Sequence, residues 1–229
     1  MLAAMQIFGR YWPYFLAGTR TTVILSVIVV FFGSILGCII ALMRLSGFKP
    51  LSMVASVYIS VIRGTPLIVQ LWIFYIQLDR VITFPDITFL WMNMRQTMPC
   101  IVALTVNSAA YVAEIVRAGI QAVDKGQAEA ARSVGMTNGQ SMLYIILPQA
   151  VKNILPAIGN EFITMIKETA VIQYLGVADL MYSTRVVYQF TYKPLPSYYI
   201  AAIIYYILNV VMSRGVDTFE RRLKTSDRS

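Results

Sequence analysis

The sequence predicts an all-α, polytopic membrane protein with about five transmembrane helices. Three observations predict it. Of 229 residues, 58% are apolar and only 13% charged, whereas a water-soluble domain carries about 25% charged residues. Apolar stretches long enough to cross a bilayer recur along the whole chain, and they alternate with short connections that carry lysine and arginine. Histidine is absent, which excludes Ser-His-Asp hydrolysis, Cys-His proteolysis and most zinc sites.

The clearest span lies between Arg20 and Arg44, where 23 residues from Thr21 to Met43 carry no charge. At 1.5 Å per residue they extend about 34 Å. They are too long for the apolar region of a cleaved signal peptide and have no small-residue cleavage site behind them. The spans are expected at about 20–44, 53–78, 97–118, 149–173 and 194–215, within one transmembrane domain over 1–229. The second is interrupted by Arg63-Gly64-Thr65-Pro66, which reads as a helix break with an arginine anchor at the cytoplasmic end of that span. Cys38 and Cys100 read as small buried hydrophobes.

An odd number of spans puts the termini on opposite sides, and the cations decide which. With the C-terminus inside, twelve lie on the inner side: Arg44, Lys49, Arg63, Arg117, Lys125, Arg132, Lys152, Arg214, Arg221, Arg222, Lys224 and Arg228. Six, namely Arg10, Arg20, Arg80, Arg95, Arg185 and Lys193, lie outside, and Lys167 falls within a span. The N-terminus is therefore expected outside, and the segment 119–148 becomes the longest cytoplasmic loop. The net charge of +8 is thus a topological signal and not a nucleic-acid footprint.

Within that loop, Asp124 is placed to cap a helix whose alanine-rich body has high propensity, and Gly135 to stop it. Thr137 and Gln140 have capping-box spacing for a second helix. The first helix offers small side chains, Ala128, Ala130 and Ala131, beside polar Gln127, Glu129 and Arg132, a face expected to lie deep in a groove on another protein.

The spacing Glu129-Ala130-Ala131, three residues, Gly135, nine residues, Ile145, one residue, Leu147-Pro148 resembles the EAA signature of the membrane subunits of ATP-binding cassette (ABC) importers. Arg63-Gly64-Thr65-Pro66 followed by Gln70, Asn107 to Glu114, and Asn160-Glu161 with Lys167-Glu168-Thr169 are similar to segments of the polar amino acid branch of these permeases. The likeness covers roughly residues 15–220, with Thr169-Ala170-Val171 departing from the Thr-Ser-Leu often found there. It implies a bacterial inner-membrane subunit of five spans that pairs with a second copy or a sister permease. It also implies a dimeric ATPase that uses ATP and Mg, an extracytoplasmic solute-binding protein, and no cofactor bound by this chain. Gln127 to Met136 would form the coupling helix, with Gln127, Ala128, Glu129, Ala130, Ala131, Arg132, Ser133 and Gly135 at the ATPase.

Polar groups inside spans are costly and mark cavities or partners. Asn107, Tyr111 and Glu114 share one face of the third helix, and Asn160, Thr164 and Lys167 one face of the fourth, with Glu161 beside them. The two stripes are expected to line one cavity, with Gln70 a further candidate. An amino acid zwitterion needs one anionic and one cationic or amide partner, and this region holds both. Near Glu114 and Arg117 the alternative is interfacial snorkelling. No Gly-x-x-x-x-Gly-Lys-Ser/Thr occurs, so the energy must come from a neighbour. A secondary transporter driven by an ion gradient through Glu114 or Glu161 is the alternative, although no inverted repeat is visible.

Overall fold

A computed structural model describes residues 2–225, so Arg228, one of the cations assigned to the inner side, lies outside the described residues. The chain is helical apart from one small hairpin among the described residues. Its elements are α1 (Leu2–Leu45), α2 (Lys49–Gly64), α3 (Leu67–Val81), strands β1 (Thr88–Phe89) and β2 (Met92–Asn93), and α4 (Met94–Gln121). Then come α5 (Lys125–Ser133), α6 (Asn138–Ser141), a π turn (Met142–Ile146), α7 (Leu147–Glu168), a 3-10 segment (Thr169–Leu175), α8 (Leu180–Thr191) and α9 (Pro194–Thr225). Among the described residues, four helices are individually long and apolar enough to cross a membrane, and the bent pair α2–α3 makes up to five.

The centre of the bundle is α1 against α4, and small residues make their approach possible. A Cβ on Gly33 would stand 2.9 Å from the Ser108 side chain, and one on Gly37 would stand 2.7 Å from Val112. Between helices in lipid there is little hydrophobic driving force, so close backbone packing of this kind supplies much of the association. Gly119 meets Ile154 on α7 in the same way, and Gly159 of α7 meets Val216 of α9. One apolar cluster gathers Leu25, Val29, Leu71, Leu104, Met165 and Ile172. A second gathers Ile40, Ala41, Ala55, Ile59, Ala113 and Ile154.

The second span breaks at the expected place, but the bend there is sharp. The chain over 53–78 is two helices bent by 111° at the Gly64–Pro66 break, because the residue before Pro66 is driven to an extended conformation and Thr65 has ψ 147°. Arg63 therefore sits at the bend between two half-length helices, and not at the end of a straight span.

Other departures are smaller. Helix α1 begins at Leu2 rather than near residue 20. The connection between the fourth and fifth expected spans contains α8, capped by Asp179, whose Oδ1 accepts from the Tyr182 N–H at 2.8 Å. The Leu180 N–H donates to Thr22 Oγ1 at 3.2 Å, tying the start of α8 to α1. Cys100 is buried as expected, but Cys38 is exposed on the apolar outside of α1. In the hairpin, Phe89 pairs with Met92 across a turn of two left-handed residues, Leu90 (φ 46°) and Trp91 (φ 57°). A bulky residue in that region costs about 1–2 kcal/mol, so the turn is held by contacts elsewhere.

Candidate coupling face and membrane pathway

Helix α5 is closed at both ends by its own residues. Asp124 Oδ1 accepts from the Gly126 N–H at 2.6 Å. At the other end Gly135 is left-handed, with φ +87°. Its N–H donates to Arg132 O at 2.9 Å and that of Met136 to Ala131 O at 3.0 Å, the paired bonds of a Schellman stop. The Thr137–Gln140 capping box is formed, and the chain turns into α6, the π turn and α7. Gln149 on α7 donates through Nε2 to Ile145 O at 2.9 Å and to Gln127 Oε1 at 3.3 Å, linking α5 to α7.

The alanine face is not where it was expected. Ala131 is buried, and half-buried Ala128 lines a cleft beside α5 with Ile120 and Ile146. Alanine at these inward positions lets α5 lie close on its own subunit. The exposed surface is Gln127, Glu129, Ala130, Arg132 and Ser133, with Gly135 and the apolar Val134 at its end. Val134 is 76% exposed; its place between an exposed helix and a glycine stop is the signal by which it could have been found.

The polar groups within the spans fall into three sets. In the first, Gln70 closes the α2–α3 bend: its Nε2 donates to Ile62 O at 2.6 Å, Thr65 O at 3.0 Å and Thr65 Oγ1 at 2.8 Å, and its Oε1 accepts from Asn107 Nδ2 at 2.9 Å. Both Gln70 and Asn107 are buried. The carbonyls freed where the helix breaks are thereby satisfied by a side chain, as backbone in a membrane requires.

In the second set, Glu114 is held between Arg44 of α1 and Arg117 of α4, with Arg63 3.9 Å away. Arg63 also lies over the Tyr111 ring, 5.3 Å from its centroid. Asn107, Tyr111 and Glu114 thus share a helix face, and their contacts there tie α1, α2 and α3 to α4.

In the third set, Glu161 is buried and accepts from the Ser108 hydroxyl at 3.1 Å. Ser108 in turn packs on Gly33, which stands near the middle of the charge-free run of α1, so Glu161 lies at mid-span. Asn160 and Lys167 are exposed on α7, with Thr164 between them donating to Asn160 O at 3.1 Å. Ser108 escaped the sequence reading; it stands one position round from Asn107, on the side that meets the small-residue face of α1. No group of three or more Asp, Glu, Cys or His among the described residues is placed to hold a metal ion.

A helical bundle with a broken span, an exposed capped helix on one face and an open polar stripe on an apolar helix defines a subunit of a membrane transporter. The chain matches over residues 33–225 the family described as binding-protein-dependent transport system inner membrane component, and it belongs to that family. It is 41% identical over 215 residues to the arginine transport system permease protein ArtQ of Bacillus subtilis (strain 168), covering 94% of each chain. It is 36% identical over 220 residues to the probable glutamine ABC transporter permease protein GlnM of the same organism, covering 96% of this chain and 97% of that one. Among solved structures, "Crystal structure of an amino acid ABC transporter with histidines" superposes with a TM-score of 0.86 at 46% identity, covering 94% of this chain and 96% of that one. The inward-facing MetNI methionine ABC transporter, at 22% identity and a TM-score of 0.72, shares the fold over 91% of this chain and 95% of that one. The chain is accordingly a multi-pass inner-membrane permease subunit of an ABC importer, and ATP hydrolysis resides in a separate ATPase subunit.

Proposed function

We propose that this permease forms the membrane pathway for a polar L-amino acid, and that α5 couples it to a pair of ATPase subunits. The observation that carries the reading is the placement of Asn160, Thr164 and Lys167 on an open face of α7 beside buried Glu161. An ammonium and an amide that stand exposed on an apolar helix need a polar surround, and the α-carboxylate of an amino acid complements both. The arginine- and glutamine-transporting relatives support this substrate class.

A second permease copy or a sister permease would close that face into a pore, and a solute-binding protein would deliver the substrate from outside. Gln127, Glu129, Ala130, Arg132 and Ser133 would meet the ATPase, with Ala128 and Ala131 setting the seat of α5 and Gly135 its end. The Gln127–Gln149 contact would carry movement of α5 into the pathway helix. The twelve-to-six cation asymmetry supports an outer N-terminus and an inner C-terminus, with α2–α3 crossing once and residues 1–229 acting as one permease domain.

The test is uptake of labelled polar amino acids by proteoliposomes containing the permease, its ATPase and its binding protein. Uptake should require internal ATP and resist a protonophore. Uptake by the permease alone, driven by an ion gradient, would overturn the proposal.

A further inference from the structure

The strained hairpin turn aims Trp91 at α1. Its Nε1 donates to Thr21 Oγ1 at 3.3 Å, and the Arg20 guanidinium lies over its ring, 3.3 Å from the centroid. These two contacts are what the left-handed backbone at Leu90 and Trp91 secures. Arg20 thus has one face fixed on an indole. Among the described residues no carboxylate is ion-paired with it.

Arg20 also lines a groove of about 480 Å³ on the outside of α1, with Val23 and Ile24 on one side of it along the helix and Trp12, Pro13, Leu16 and Ala17 on the other. From Arg20 toward the charge-free run the wall, Val23 and Ile24, is apolar.

We propose that this groove is a binding site for an anionic phospholipid of the leaflet on the hairpin side. An acyl chain lies along Val23 and Ile24, and the headgroup phosphate is held by Arg20. Charge and depth together select this occupant. The guanidinium stands at the edge of the charge-free run Thr21–Met43, the level of phosphates in a bilayer, and exposed Trp91, stacked on Arg20, marks the same level. An unpaired cation there attracts anionic lipid, and arginine suits the phosphate because its edge donors stay free while its face is stacked. A protein partner would find an apolar furrow facing lipid.

The experiment uses the assembled complex in nanodiscs of equimolar phosphatidylglycerol and phosphatidylcholine, gently delipidated and examined by native mass spectrometry. Phosphatidylglycerol should be retained about fivefold over phosphatidylcholine. Arg20→Ala should remove that preference, Arg20→Lys should keep part of it, and Arg10→Ala should leave it intact. Equal retention of the two lipids by the unaltered complex overturns the proposal without any variant. So does displacement of the lipid by inorganic phosphate alone, which would leave the acyl groove without a role. An Arg20→Ala complex that keeps the lipid but loses affinity for its binding protein would reassign the surface to a protein contact and also overturn it.

Discussion

The hydroxyl of Ser108 on α4 donates to Glu161 Oε1 on α7 at 3.1 Å, with Gly33 of α1 packed behind it. One buried carboxylate is thereby held at the junction of three helices, next to the open polar face of α7. Removing the donor leaves a buried acceptor less satisfied, at about 1–3 kcal/mol. Ser108→Ala should lower ATP-driven uptake about tenfold, and Glu161→Gln by more, while the complex still purifies with its ATPase. Full uptake by Glu161→Gln would show that this carboxylate has no part in transport.

Gly135→Val should weaken coupling. The position is left-handed, φ +87°, and a β-branched residue there costs about 1–2 kcal/mol and opens the Schellman stop of α5. The expected result is reduced ATPase copurification and a loss of substrate-stimulated hydrolysis; Gly135→Asn, which tolerates this backbone better, should be milder. Equal effects of the two would point away from backbone geometry.

Gln70→Leu should destabilise the bundle more than its size suggests. The glutamine amide satisfies Ile62 O and Thr65 O at the bend and pairs with Asn107, so its loss strands several groups, each worth about 1–3 kcal/mol. A thermal-shift measurement on the purified complex should show a clear drop in Tm. Gln70→Glu should also lower it, because one set of donors is lost.

Asp179 supplies a pH dependence. Burial pushes its carboxyl from 3.8 up to about 7, against the hydrogen bonds from Tyr182 and Met181 and the nearby Arg185. A raised carboxyl pKa means the folded form holds its proton after the unfolded chain has released it. Stability therefore falls as pH rises from the ordinary carboxylate value to near 7, and levels off above. Asp179→Asn should flatten that slope, which has a ceiling of about 1.4 kcal/mol per pH unit. Thermal-shift curves in acidic and neutral buffers give the comparison, and a parallel slope in the variant would assign the dependence to another group.

Much of the α5–α6 segment was readable from residues alone. Asp124, Gly135 and the Thr137–Gln140 pair act on backbone groups within a few positions of themselves, so their consequences are local and survive in any tertiary setting. The apolar runs were readable for the same reason, since hydrocarbon leaves a helix little alternative. The break at Pro66 was also visible, because the ring restricts its neighbour directly.

What each helix face meets was not readable. Periodicity placed Asn107, Tyr111 and Glu114 on one side of α4, but nothing local distinguishes a face that lines a cavity from one that grips Gln70 and Arg44. That choice rests on residues 37 and 70 positions away in the chain. The same holds for Ala128 of α5, which shares a cleft with Ile120 and Ile146, and for the 111° bend, which Gln70 closes. By itself the sequence determined that the chain spans a membrane and carries a short capped helix between spans, because propensity, capping and hydropathy are short-range. Only the tertiary structure decided which polar groups clamp the bundle and which stay open, because packing between helices distant in sequence assigns each face its neighbour.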